Sequence, residues 1–296
     1  MTTRPIDPAP GMLGRQVTRR TALGRLAGVG AALATTGLIT SPVFAGQEAQ
    51  GEAMNQSTPS TGAPTVVLVH GGFADATSSW SGVIDRLQGA GLTTIAPANP
   101  QRGIETDSAY VSNVVRTIEG PVLLVGHSYG GIVITNVGSQ VDNAIGLVYV
   151  AAMAPDEGEA MLDVAADYPK TLILDALRPA SVAASEADAD FIIDPAQYRA
   201  AFAAELPEAT TRVLAATQRP FVGSALATPS GPPAWKTLPS WFAVATADQA
   251  IHPDQERFYA KRMGATTIEV DGSHSIMVSQ PETIAELIRS AVGALA

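Results

Sequence analysis

A chain of 296 residues, 46% of them hydrophobic, is long enough to bury one sizeable core, and α/β chains of this length commonly fold as one domain. Its net charge of −10 argues against nucleic acid or an anionic membrane as a partner. Without cysteine it has no disulfide or thiolate nucleophile, and its four histidines form no His-Glu-x-x-His pattern, so no metal or other cofactor is expected.

The first 45 residues carry five arginines against Asp7 alone. Thr18-Arg19-Arg20-Thr21-Ala22-Leu23 resembles a twin-arginine export signal, and an apolar run from Leu26 to Ile39 follows. Ser41-Pro42-Val43-Phe44-Ala45 then offers a cleavage site after Ala45. The expectation is a bacterial signal peptide over 1–45 and a periplasmic or secreted mature protein. An uncleaved anchor is the alternative, but the run is short and rich in Ala, Gly and Thr for a stable span. Residues 46–63, rich in Gln, Glu, Ser, Thr and Gly, read as a disordered linker to a domain over 64–296.

Thr65–His70 reads as the first strand and runs into Gly71-Gly72-Phe73. Trp80, Val83, Ile84 and Leu87 have helical spacing, closed by Gly89 and Gly91. Leu92–Pro97 is the next strand. Asp107 is placed to cap a helix through Tyr110, Val114, Val115 and Ile118. Val122–Val125 is a buried strand, Gly131–Val137 a helix, and Ala144–Val150 a further strand. From about 155 to 239 the pattern turns Ala-rich and acidic, without strong strands, and reads as a mostly helical cap. The core resumes with the strand Ser240–Thr246, a helix from Pro253 to Met263 and the strand Thr266–Val270. A helix beginning at Pro281 closes the chain. Strands alternating with helices predict a mainly parallel sheet covered on both faces.

Between the third strand and its helix, Gly126-His127-Ser128-Tyr129-Gly130 fits G-x-S-x-G. That motif in a strand–turn–helix setting exposes the serine hydroxyl at a helix N-terminus, where backbone N–H groups favour a developing negative charge. Serine is a weak nucleophile and needs a base; histidine, with an unperturbed pKa of about 6.5, suits the task. His274 follows the last strand and Asp248 the one before it, so the chain order is Ser128, Asp248, His274. Asp156, after the strand Ala144–Val150, is the competing acid, but its neighbours Glu157 and Glu159 suggest a wet surface. For an oxyanion hole the expected donors are the N–H of Tyr129 and that of Gly72, with Phe73 as the fallback. Phe73 and Met153 are placed either to line a pocket or to pack in the core. His70 and His127 read as structural, His252 as solvated, and Trp80, Trp241 and Tyr149 as core.

The stretches VLVHGG, GHSYGG, YVAAMAPDEGE, VATADQAI and GSHSIMVSQP resemble those of α/β-hydrolases. In particular they resemble small bacterial esterases related to the plant methyl esterase and hydroxynitrile lyase group. The resemblance covers Thr65 to Ala296. It implies an α/β-hydrolase fold without the first two strands of larger members, and an inserted cap. It implies a serine carboxylic-ester hydrolase acting on small to medium esters through an acyl-serine intermediate. Hydroxynitrile lyases of that group carry a lysine immediately after the histidine and a threonine near the first strand's histidine; Ser275 and Gly71 stand at those places here. Perhydrolase activity, or a ligand-binding protein on a hydrolase scaffold, are the remaining alternatives.

Overall fold

Continuous burial dictates how the central strands are used. The structure, a computed structural model, describes residues 62–181 and 189–296. The export segment expected over 1–45, and all but the last two residues of the expected linker, lie outside the described residues. In chain order the strands are β1 (Thr65–Val69), β2 (Thr94–Ile95), β3 (Val122–Ser128), β4 (Ala144–Ala152), β5 (Leu177–Pro179), β6 (Asp190–Ile193), β7 (Phe221–Val222), β8 (Ser240–Ala245) and β9 (Thr266–Val270). Six of them form a wholly parallel sheet in the order β2-β1-β3-β4-β8-β9. Val67, Leu124 and Phe242 look to one face, and their neighbours Val66, Leu123 and Trp241 to the other. Both faces are covered, so the strands read as continuous apolar runs.

On one face lie α1 (Ala76–Gly89), α9 (Ile276–Ser279) and α10 (Pro281–Leu295), which bury Trp80, Val83, Met277 and Ile288. A capping box starts α1: the Ser78 N–H donates to Asp75 Oδ1 and the Asp75 N–H to Ser78 Oγ. The other face is covered by α2 (Ile104–Arg116), α3 (Tyr129–Val137) and α8 (Pro253–Arg262), burying Val111, Ile132 and Tyr259. After β1 the chain moves outward to β2, then returns to β3 on the other side of β1. That reversal opens a crevice at the carboxyl ends of β1 and β3, where ligands bind in open α/β sheets.

Three expectations change. The second strand is only Thr94–Ile95, not Leu92–Pro97. Helix α2 is capped by Gly103, and Asp107 lies one turn inside it, wholly buried, because its carboxylate accepts the Arg102 N–H and the Tyr129 hydroxyl. The cap carries strands as well as its expected helices. Its helices α4 (Met161–Ala165), α5 (Ile173–Ala176), α6 (Tyr198–Phe202) and α7 (Glu208–Ala216) accompany a three-stranded antiparallel sheet, β5-β6-β7. Those strands have two to four residues, too short for alternation to register. No helix among the described residues is long and apolar enough to cross a membrane.

Candidate active site

Strain collects at the carboxyl edge of the sheet. Among the described residues, the non-glycine residues with positive φ are Phe73 (63°), Gln101 (61°), Ser128 (54°) and Ala151 (42°). Phe73 follows β1, Ser128 ends β3, Ala151 is the last residue but one of β4, and Gln101 lies beyond β2. Such backbone costs on the order of 1–3 kcal/mol per residue and persists only where the surroundings enforce it. At Ser128 they do. A Cβ on Gly130 would stand 2.3 Å from the Val69 carbonyl oxygen, so only glycine lets α3 approach β1 this closely.

Asp248 lies just beyond β8, and His274 just beyond β9. The imidazole Nδ1–H donates to Asp248 Oδ2 at 2.5 Å, and both side chains are fully buried. The other carboxylate oxygen accepts the N–H groups of Ala250 (2.6 Å) and Ile251 (3.0 Å). With its proton on Nδ1, His274 keeps a lone pair on Nε2, which makes no hydrogen bond within the described residues. Phe202 and His127 pack on the imidazole, each with ring centroids 4.6 Å away. Burial holds His127 well below the usual imidazole range, so it is neutral and its Nε2–H donates to the His274 carbonyl. Asp156 is not bonded to this pair; it is partly exposed and paired with Lys236.

The turn after β1 is held from inside. Gln101, fully buried, accepts the Phe73 N–H on Oε1 (3.2 Å) and donates from Nε2 to the Ala74 carbonyl (2.7 Å). The Phe73 N–H is thereby occupied. That of Gly72 has no acceptor among the described residues, and that of Tyr129 opens a helix and has none within it. His70 Nδ1–H donates to the Gly71 carbonyl, and burial lowers this imidazole to about 4. The Tyr129 hydroxyl donates to Asp107 (2.8 Å), fixing the side chain next to the elbow.

Ser128, Gly72 and His274 open on one cavity of about 410 Å³. Phe73 and Met153 line it, as do Met161, Leu174 and Phe221 from the cap. His252 is not a freely solvated group. It caps α8 by accepting the Asp254 N–H, stacks on Tyr168 and lines the cavity beside Gln255. At the two lyase-associated positions, Ser275 donates to the Phe202 carbonyl (2.9 Å), and a Cβ on Gly71 would come within 2.6 Å of Ser128 Cβ.

Residues 66–287 match the α/β-hydrolase family. The chain belongs to that family. This hydrolase is similar to solved structures of a pyrethroid hydrolase from Sphingobium faniae (20% identity, TM-score 0.65, covering 78% of this chain and 98% of that one). It is similar to an extracellular α/β-hydrolase from a Paenibacillus species, described as sharing structural and functional homology with tobacco salicylic acid binding protein 2 (22%, 0.62, 77% and 98%). It is also similar to a methylesterase from Arabidopsis (18%, 0.65, 78% and 100%). At these identities the likeness is one of fold. No curated relative matches by sequence.

The sequence reading of this hydrolase missed Gln101, Asp107 as a partner of Tyr129, and the lining pair His252 and Gln255. Only the last pair left a trace. The two residues bracket the start of a helix that follows Asp248, which points them toward the same site.

Proposed function

We propose that the protein is a carboxylic-ester hydrolase that works through an acyl-serine intermediate. Ser128 Oγ attacks the ester carbonyl carbon while its proton passes to His274 Nε2. The N–H groups of Gly72 and Tyr129 receive the oxyanion, and Asp248 stabilises the imidazolium. Collapse expels the alcohol with the proton from His274. A water then attacks the acyl-serine, gives its proton to His274, and releases the acid and free Ser128. The observation that carries this reading is the strained Ser128 in the same cavity as a histidine oriented by a buried carboxylate. The apolar lining supports small to medium, uncharged esters as substrates. The twin-arginine segment supports export as a further part of the proposal, and N-terminal sequencing of exported protein, expected to begin at Gly46, tests it.

The test of the chemistry is a fluorophosphonate label together with turnover of an activated aryl ester. Labelling is expected at Ser128, and Ser128→Ala is expected to abolish burst and turnover with the fold intact. Labelling of another serine with Ser128 unmodified would sink the mechanism. Ester binding without turnover would favour a ligand-binding protein.

A further inference from the structure

Behind Asp248 lies a second carboxyl group that acyl transfer does not use. Glu256, in the first turn of α8, is fully buried. Its Oε2 accepts the Ala245 N–H at 3.0 Å, whereas its Oε1 has no donor among the described residues. Asp248, equally buried, is tied to the same residue: its N–H donates to the Ala245 carbonyl at 3.4 Å, so both carboxyl groups sit at the end of β8.

Two ionised carboxylates buried at one strand end repel, and water does not screen them here. One proton between them removes the repulsion and creates a charge-assisted O–H···O⁻ bond. Which group keeps it follows from the donors each receives. Asp248 takes three hydrogen bonds, from the N–H groups of Ala250 and Ile251 and from His274. Glu256 takes one. Donors favour the ionised form, so Asp248 is the ion and Glu256 the acid. Burial first, then the charge of Asp248, pushes the Glu256 carboxyl well above the usual range. The other charged group it feels is Arg257 on the same helix, whose guanidinium is engaged at the surface by Glu269 and Asp254.

We propose that Glu256 is held as a neutral carboxylic acid that donates its proton to Asp248, and so positions the carboxylate that orients His274. Glu256 touches neither substrate nor reacting atoms; it is a positioning residue. Its catalytic consequence rests on the acyl-serine reading, but its protonation state does not. Without the donated proton, Asp248 is a stronger acceptor and His274 holds its own proton more tightly. The acidic limb of kcat/KM then moves to higher pH.

The experiment is carboxyl NMR on the whole protein labelled with ¹³C-glutamate, joined to pH profiles of two variants. At pH 7 one glutamate is expected to resonate as a neutral acid, and that signal to vanish in Glu256→Gln. The glutamine amide still donates to Asp248 and accepts the Ala245 N–H. Glu256→Gln is therefore expected to keep the wild-type acidic limb. Glu256→Leu is expected to lose roughly tenfold in kcat, the scale of one hydrogen bond to a charged group, and to shift the limb upward. Only ionised glutamates at pH 7, or the same limb in both variants, would overturn the proposal. A neutral Glu256 in a protein that turns over no ester would instead remove the acyl-serine reading alone.

Discussion

The carboxyl edge of the sheet and the cap are built by opposite means. At the edge, functional groups are buried and held by hydrogen bonds: Asp248, His274 and Gln101 are all fully covered. In the cap the elements are short, and Leu162, Leu172 and Leu174 remain 38–45% exposed. The edge fixes a geometry through buried hydrogen bonds; the cap supplies apolar surface to the cavity. Geometry governs the chemical step and surface governs affinity. Substitutions at the edge should therefore appear in kcat, and those in the cap in KM.

The largest effect that tests this division concerns two aspartates, one in each region. Asp248→Asn leaves shape intact but favours the wrong imidazole tautomer, and should lower kcat by roughly 10⁴. Asp156→Asn removes a surface contact with Lys236, which is worth little in solvent, and should leave kcat near wild type. Both are to be assayed at equal folded fractions. The reverse ranking would move the orienting acid into the cap segment and erase the contrast.

The same contrast sets what was legible in the sequence. The edge could be read because its chemistry needs fixed residue types at short spacing. Gly126 and Gly130 around Ser128, and a short turn between β8 and Asp248, are visible in a single chain. The cap could not. Its strand Leu177–Pro179 pairs with Asp190–Ile193 across an intervening segment, and a run of three residues has no period. Gln101 was equally silent, since its value lies in a φ of 61° and in bonds to a loop 28 residues away. Local pattern reveals a site made of motifs, and says little about contacts made only by the fold.

Acid should separate the two regions in stability. His70, in the edge, is held to about 4 chiefly by burial, below its ordinary value of 6.5. Between those values the unfolded chain binds the proton and the folded one does not. Stability is therefore complete above about pH 6.5 and is lost as pH falls toward 4, by about 3 kcal/mol for this group. Buried His127 acts in the same direction. In the cap segment, burial raises the Glu159 carboxyl, but hydrogen bonds from Arg262 and the Asp156 N–H together hold it below its ordinary value of 4.5. Its contribution is present above that value and is lost only as pH falls below it. Urea midpoints taken from pH 7.5 to 3.5 should thus begin to fall below about pH 6.5, before Glu159 is protonated. A flat profile from pH 7 to 5 would contradict the neutral, buried state of these histidines.

The smallest predicted effect sharpens the other half of the comparison. Leu174 lines the cavity yet is 45% exposed, so it holds little of the fold and much of its apolar surface faces the site. Leu174→Ser should leave the urea midpoint within experimental scatter, since substitutions of exposed side chains usually cost no more than about 0.5 kcal/mol. A long acyl or alcohol chain that reaches α5 would lose apolar contact on the order of 1 kcal/mol, or about fivefold in KM. The contact is the same in the ground state and the transition state, because it lies away from the reacting carbonyl. Uniform binding of that kind raises KM without changing kcat. An acetate ester with a small alcohol does not reach Leu174 and should be hydrolysed unchanged. The decisive measurement is KM and kcat across a graded series of ester lengths. A fall in kcat for the acetate ester would place Leu174 within the catalytic geometry, and the cap could then no longer be treated as surface alone.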